Sequence, residues 1–192
     1  VAGKLAELLS EPFEIDAAQV NASVSVGAAM FPSDGASPEM LLRNADAALS
    51  FAKSRGRGNV QLFEPRMNAE VVRRLQIEAG LRRALEAGEF EAYYQPRIDL
   101  KSRKLVGAEA LLRWRDPEHG LQEPGSFIAV AEDTGLIVPI GEVVLREACR
   151  AAMQGTAAGL GEPVVSVNLS PREVRGRSLL PMVSQALVAS GL

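Results

Sequence analysis

The sequence predicts a mixed α/β protein built from more than one folding unit. Three observations carry that prediction. Short Val-rich or alternating runs are interleaved with longer segments of helical period. Pro65 and Gly88 bracket a helix-like stretch that exposes Arg73, Arg74, Arg82 and Arg83. Of the 192 residues, 47% are apolar and 23% charged, the balance of a globular chain that buries a core.

Bulk properties narrow the partners. A net charge of −3 gives no electrostatic reason to bind a nucleic acid polymer or a membrane surface. No apolar run reaches the roughly 20 residues needed to span a bilayer, and no signal-peptide pattern opens the chain. The single cysteine, Cys149, cannot close an internal disulfide, which fits a reducing cytoplasm. The chain opens on Val1 within a helical pattern and ends in another, so truncation at both ends is expected.

Leu5, Leu8 and Leu9 continue an amphipathic helix expected to end near Ser10. Residues 12–15 are extended, and 22–30 form a buried strand of Val and small residues. Pro32-Ser33-Asp34-Gly35 is a turn. Ser37 is placed to cap a helix, with Pro38 at its first position and Glu39 near the positive end of its dipole. Leu41, Leu42, Ala45, Ala48, Leu49 and Ala52 form its expected apolar stripe, and Gly56 its stop. Residues 59–63 read as a closing strand.

The division expected is 1–65, a linker helix within 66–88, and 89–192. Val71, Leu75, Leu81 and Leu85 are the apolar positions of the linker helix, and Gly80 weakens it by about 1 kcal/mol relative to Ala. Beyond Gly88 come strands at 91–97 and 105–114, helices at 127–132 and 140–153, a strand at 164–169 and a helix at 179–189. Pro96 puts the first of these strands at an edge or rim. Strands alternating with helices suggest a parallel sheet or a barrel.

The strand at 105–114 carries the most chemistry. Alternation puts Val106, Ala108, Ala110, Leu112 and Trp114 on one apolar face. Leu105, Gly107, Glu109, Leu111 and Arg113 share the other. In a parallel sheet both faces are covered, so Glu109 needs a partner. A divalent cation such as Mg²⁺ is one choice, since it prefers hard oxygen. An ion pair with Arg113, two residues along, is the other, and spacing alone favours it. Asn168 ends the Val-rich strand ahead of Ser170-Pro171, where an amide can ligate a metal or cap the next helix; capping is the simpler reading. His119, the lone histidine, reads as a solvated turn residue, Glu132 as a helix-terminal structural residue and Cys149 as a small buried one.

Several blocks occur in the order of a known family: Tyr94-Gln95-Pro96, Gly107-Ala108-Glu109-Ala110-Leu111-Leu112-Arg113-Trp114, Pro124 to Phe127, Ala131-Glu132-Asp133-Thr134-Gly135-Leu136-Ile137 and Val167-Asn168-Leu169-Ser170. Together they resemble the opening half of EAL phosphodiesterase domains. Ser25-Val26-Gly27, Phe31-Pro32, Leu41-Leu42, Ala45-Asp46, Ala52-Lys53 and Gly56-Arg57 resemble the end of a GGDEF domain.

The resemblance implies the end of a cyclase-like α/β domain, then the first half of a TIM-like (β/α) barrel. It implies a cytoplasmic signalling protein that hydrolyses cyclic di-GMP to pGpG by two-metal catalysis with Mg²⁺ or Mn²⁺. Glu109, the acid of the E-A-L signature, is then catalytic and a metal ligand, and Asn168 a second ligand. Arg113 would hold a substrate phosphate, as a guanidinium fork suits, and Gln95 would line the substrate pocket. Lys53 and Arg57 match nucleotide-phosphate contacts, with two cations favoured by a helix C-terminus as the equal alternative. GTP at the GGDEF part and a homodimer through the EAL part are further implied partners. Ser50 stands where the family usually has Tyr, which leans toward a degenerate, regulatory cyclase relative. The remaining acids and a lysine would come from later strands, so the chain by itself is expected to be inactive. The alternatives are a non-catalytic cyclic di-GMP receptor and a protein that is mainly a diguanylate cyclase.

Overall fold

The computed structural model describes residues 2–192 apart from 10, 11, 17, 21, 57 and 162. Two compact units emerge, Val1–Gln76 and Ile77–Leu192.

In the first unit, α1 (Ala2–Leu8) precedes a small antiparallel hairpin of β1 (Phe13–Ile15) and β2 (Ala18–Val20). The helix ends at Leu8, close to the expected end near Ser10, while residues 10 and 11 lie outside those described. β3 (Val26–Ala28) pairs in parallel with β4 (Val60–Leu62), and α2 (Pro38–Ser54) is the crossover that a parallel pair requires. The helix starts as its sequence dictates: the Ser37 hydroxyl accepts from the Met40 N–H at 3.3 Å, with Pro38 in the first turn. That same hydroxyl and the local backbone N–H hold the Glu39 carboxyl below its usual range, the backbone contribution being the larger.

The expected stripe of α2 needs one correction. Ala48 and Ala52 are buried as expected, but Leu42 is 69% exposed, and Asn44 and Ala47 join the buried side. Asn44 is tolerated inside because it donates to the Asp34 carbonyl at 2.6 Å and accepts from Asn68 at 3.3 Å. Met67, at the start of α3 (Arg66–Ala87), closes this small core against Ala47 and Ala48.

The second unit takes up the end of α3. Leu81 and Ala84 are fully buried in a core with Phe90, Trp114, Phe127 and Ile140. Trp114 and Phe127 meet edge to face at 5.6 Å, and the indole N–H donates to Glu89 at 3.0 Å. Gly80 is explained here. A Cβ at that position would lie 2.8 Å from the Trp114 ring, so the helix accepts a weak residue to let the indole in.

The sheet is mixed rather than parallel. β5 (Phe90–Ile98) pairs antiparallel with β6 (Leu105–Asp116), β6 antiparallel with β7 (Gly120–Gln122), and β6 in parallel with β8 (Val164–Val167). The reason is length: the few residues between β5 and β6 can make a hairpin but not a crossover. β5 is an edge strand, which accommodates Pro96, and the Ala92 N–H is taken up by Glu147 at 2.6 Å.

A 3₁₀ turn (Pro124–Ser126), α4 (Ile128–Thr134) and α5 (Ile137–Ala157) follow β7. α5 lies on the apolar face of β6, where Val144 and Ala148 pack on Ala110 with Ala92, Val165 and Val167 around them; Cys149 is buried on the same helix. The chain ends in α6 (Pro171–Arg175) and α7 (Leu179–Ser190). No described helix is long and apolar enough to cross a membrane.

Candidate functional site

The strand register builds a polar row across the face of the sheet away from α5. Gln95 on β5 stands opposite Glu109 on β6, and Glu109 stands beside Ser166 on β8. Residues opposite one another project to the same side, so these three side chains share a face. Arg97 and Arg113 belong to it by alternation. Arg97 donates to the Ser166 hydroxyl at 3.0 Å. Asn168 follows directly on β8 and donates its side-chain amide to Glu109 Oε1 at 2.7 Å.

The partner of Glu109 is therefore Asn168, not the Arg113 that spacing favoured. In this chain Glu109 is half-buried and Gln95 and Asn168 are exposed. Arg113 is held separately. One of its nitrogens donates to the Leu112 carbonyl at 2.8 Å, another lies 3.7 Å from Glu123, and the guanidinium sits 5.7 Å over the Tyr93 ring. Only 16% of the Arg113 side chain is exposed, against 78% for Glu123. The arginine is fixed by what lies beneath it, while Glu123 is a mobile-length surface acid that an anion could displace.

Lys53 is exposed in the last turn of α2, in the other unit. Arg57 lies outside the described residues. His119 contacts Asp116 at 3.0 Å in the turn after β6, and its side chain is 69% exposed. Asp116 is buried, which opposes its ionisation. Hydrogen bonds from the Glu118 N–H and from His119 outweigh burial and hold the carboxyl below its usual range. This pair is a turn anchor on another part of β6. Tyr94, on the α5 side of β5, is pushed up by burial and then by the charge of Glu147, with Arg150 opposing.

A cleft of about 290 Å³ lies between the sheet and the helices on its apolar face, lined by Ala110, Ile140, Val144, Glu132, Asn168 and Glu173 among others; of the polar row only Asn168 reaches it. Glu132, expected to be structural, thus faces a cavity shared with Asn168. Arg97, Ser166 and Glu123 stand on or beside the row without having been singled out from the sequence. The first two had a signal: Arg97 lies two residues from Gln95, and Ser166 is the one polar residue in a Val run. Glu123 had none.

Chemically, a carboxylate and an amide side by side offer hard oxygen donors suited to Mg²⁺ or Mn²⁺. Among the described residues no group of three or more His, Cys, Asp or Glu side chains could hold a metal ion. The pair fits part of a coordination sphere.

Residues 78–192 match the family model for the EAL domain. The chain belongs to the EAL domain family. Ahead of the EAL domain, residues 1–59 match the diguanylate cyclase, GGDEF domain model. Over 192 aligned residues the chain is 41% identical to the bifunctional diguanylate cyclase/cyclic di-GMP phosphodiesterase MucR of Pseudomonas aeruginosa, covering all of this chain and 28% of that protein. Among solved structures, the PaMucR phosphodiesterase in complex with c-di-GMP aligns with a TM-score of 0.58 and 42% identity, over 61% of this chain and 47% of that one. The EAL domain of FimX from Pseudomonas aeruginosa bound to c-di-GMP aligns at 0.53 and 28%, over 60% and 46%. The chain thus spans under a third of MucR and about half of each of these two solved chains.

Proposed function

We propose that the native protein containing this chain is a phosphodiesterase that hydrolyses cyclic di-GMP to pGpG. The observation that carries the reading is the Glu109–Asn168 pair on the same sheet face as the sheltered Arg113. The likeness to the PaMucR phosphodiesterase supports it. The mixed sheet is read as the opening strands of a TIM-like barrel whose later strands supply further acids. The 192-residue chain alone is then expected to be inactive.

Arg113 would take one phosphate of the dinucleotide, since its fork offers paired donors and its ring contact with Tyr93 fixes the plane. Glu123 would be released from Arg113 as the phosphate arrives. Gln95, opposite Glu109, would meet the ligand from the edge strand. Glu109 and Asn168 would contribute oxygens to Mg²⁺ or Mn²⁺. Such a cation would supply Lewis-acid activation of water and charge stabilisation at the phosphodiester.

The second reading is a cyclic di-GMP receptor without turnover, supported by the likeness to the EAL domain of FimX bound to c-di-GMP. One experiment separates the two. The native protein is incubated with cyclic di-GMP and Mn²⁺ and the products are chromatographed. Accumulation of pGpG is expected; binding without any product establishes the receptor instead.

A further inference from the structure

The short helix α6 begins with an unusual cap. The Glu173 N–H donates to the Ser170 hydroxyl at 3.2 Å, and Glu173 Oε2 accepts from the Ser170 N–H at 2.8 Å, a reciprocal capping box. Such boxes serve well on an exposed surface. Here Glu173 is only 2% exposed, and its second oxygen, Oε1, has no hydrogen-bond partner. A buried carboxylate oxygen left unpaired is costly, and a helix cap alone does not require it.

The neighbouring helix is shaped to admit the carboxyl. Glu173 Oε1 lies against Gly141 of α5, where a Cβ would overlap it outright. Glycine in the interior of a 21-residue helix is a poor choice except to make that room. Next to it, Arg172 donates to the Glu132 and Asp133 carbonyls at 2.7 and 3.1 Å. The start of α6 is thereby tied to both α4 and α5.

This tied segment begins two residues after Asn168, whose amide meets Glu109 at 2.7 Å. We infer that Glu173, seated on Gly141 and bonded to Ser170, is a positioning residue that holds Asn168 against Glu109 and so sets the cation affinity of that pair. The inference rests on the reading of Glu109 and Asn168 as cation ligands. The carboxyl never touches the cation; it fixes the exit of β8 from which the amide projects.

The test uses the native protein and Mn²⁺, with free ion measured by electron paramagnetic resonance well below the unfolding temperature. Glu173→Ala is expected to weaken Mn²⁺ binding by about tenfold to a hundredfold, the usual effect of losing a group that orients a ligand. Gly141→Ala, which displaces the carboxyl without deleting it, should weaken binding in the same direction. Glu173→Gln keeps both bonds of the box and should retain wild-type affinity. Should Glu173→Ala not fold, Gly141→Ala and Ser170→Ala carry the measurement. A fall in thermal midpoint with Mn²⁺ affinity unchanged would show that the box is only a cap. Glu109→Gln is the control. If it keeps its Mn²⁺ affinity, the cation reading itself fails and this inference with it. If it loses affinity while Glu173→Ala does not, only this inference fails.

Discussion

Asn168 donates its side-chain amide to Glu109 Oε1 at 2.7 Å, across 59 residues of sequence and from one parallel strand end to its neighbour. Among the described residues this is the hydrogen bond that the Asn168 side chain makes. Asn168→Ala in the native protein should therefore shift the thermal midpoint by no more than the loss of one hydrogen bond, about 1 kcal/mol. Cyclic di-GMP turnover should fall at least about tenfold, the lower end for removal of a group serving a metal site. Turnover near wild type would remove Asn168 from the site.

Glu109→Gln asks a sharper question. Glutamine keeps the shape and can still accept from Asn168, but it lacks the charge that a hard cation selects. Turnover should be abolished with the fold intact by circular dichroism. If activity survives and stability drops, Glu109 is a structural partner only.

Glu123 competes for Arg113 with any phosphate that approaches. The ion pair is long, at 3.7 Å, and its acid is 78% exposed, so it contributes at most about 1 kcal/mol. Glu123→Gln should tighten cyclic di-GMP binding up to about fivefold, the equivalent of that energy. Calorimetry with Ca²⁺ in place of Mg²⁺ would measure it. Weaker binding would mean that Glu123 orients Arg113 rather than opposing the ligand.

Asp116 gives a pH-dependent signature. Its native carboxyl titrates below the value of about 3.9 expected unfolded. Its contribution is complete above the unfolded value and is lost as pH falls through the native one. Asp116→Asn should lower stability at pH 7 by about 1–3 kcal/mol, and the gap should close in strong acid. Thermal midpoints of both proteins at pH 7 and pH 3 check this; a gap independent of pH would contradict it.

Gly80→Ala sets two principles against each other. Helix propensity predicts a gain of about 1 kcal/mol. Overpacking against Trp114 predicts a loss of about 1–3 kcal/mol. The indole is buried between Phe90 and Phe127 and has little room to yield, so net destabilisation is expected. Trp114 is the only tryptophan, and its fluorescence follows the unfolding directly.

Local rules made several parts of this protein legible in sequence. The Ser37 cap, the helix at 179–189 and the two faces of β6 rest on neighbours in the chain. Glu109 could be singled out because alternation put an acid among packed residues. Its partner could not, because spacing along one strand points to Arg113 while the pairing of β8 brings up Asn168. Leu42 misled for a related reason: helical period counts apolar residues but does not fix which way the helix turns. The helix places Asn44, with two partners, on its buried side and leaves Leu42 outside. The antiparallel β5–β6 pair was readable from the shortness of its connection, yet the rhythm of strands and helices pointed to a parallel sheet.

The hairpin of β5 and β6 also orders events in time. Gln95 and Glu109 are opposed across a short turn, so their contact has low sequence separation and closes on the microsecond scale of hairpins. Ser166 and Asn168 arrive only when β8 docks on β6, after α4 and α5 have been threaded between. The proposed ligand pair is thus completed by the most non-local contact of its sheet. A chain lacking β8 would carry Glu109 with no amide beside it.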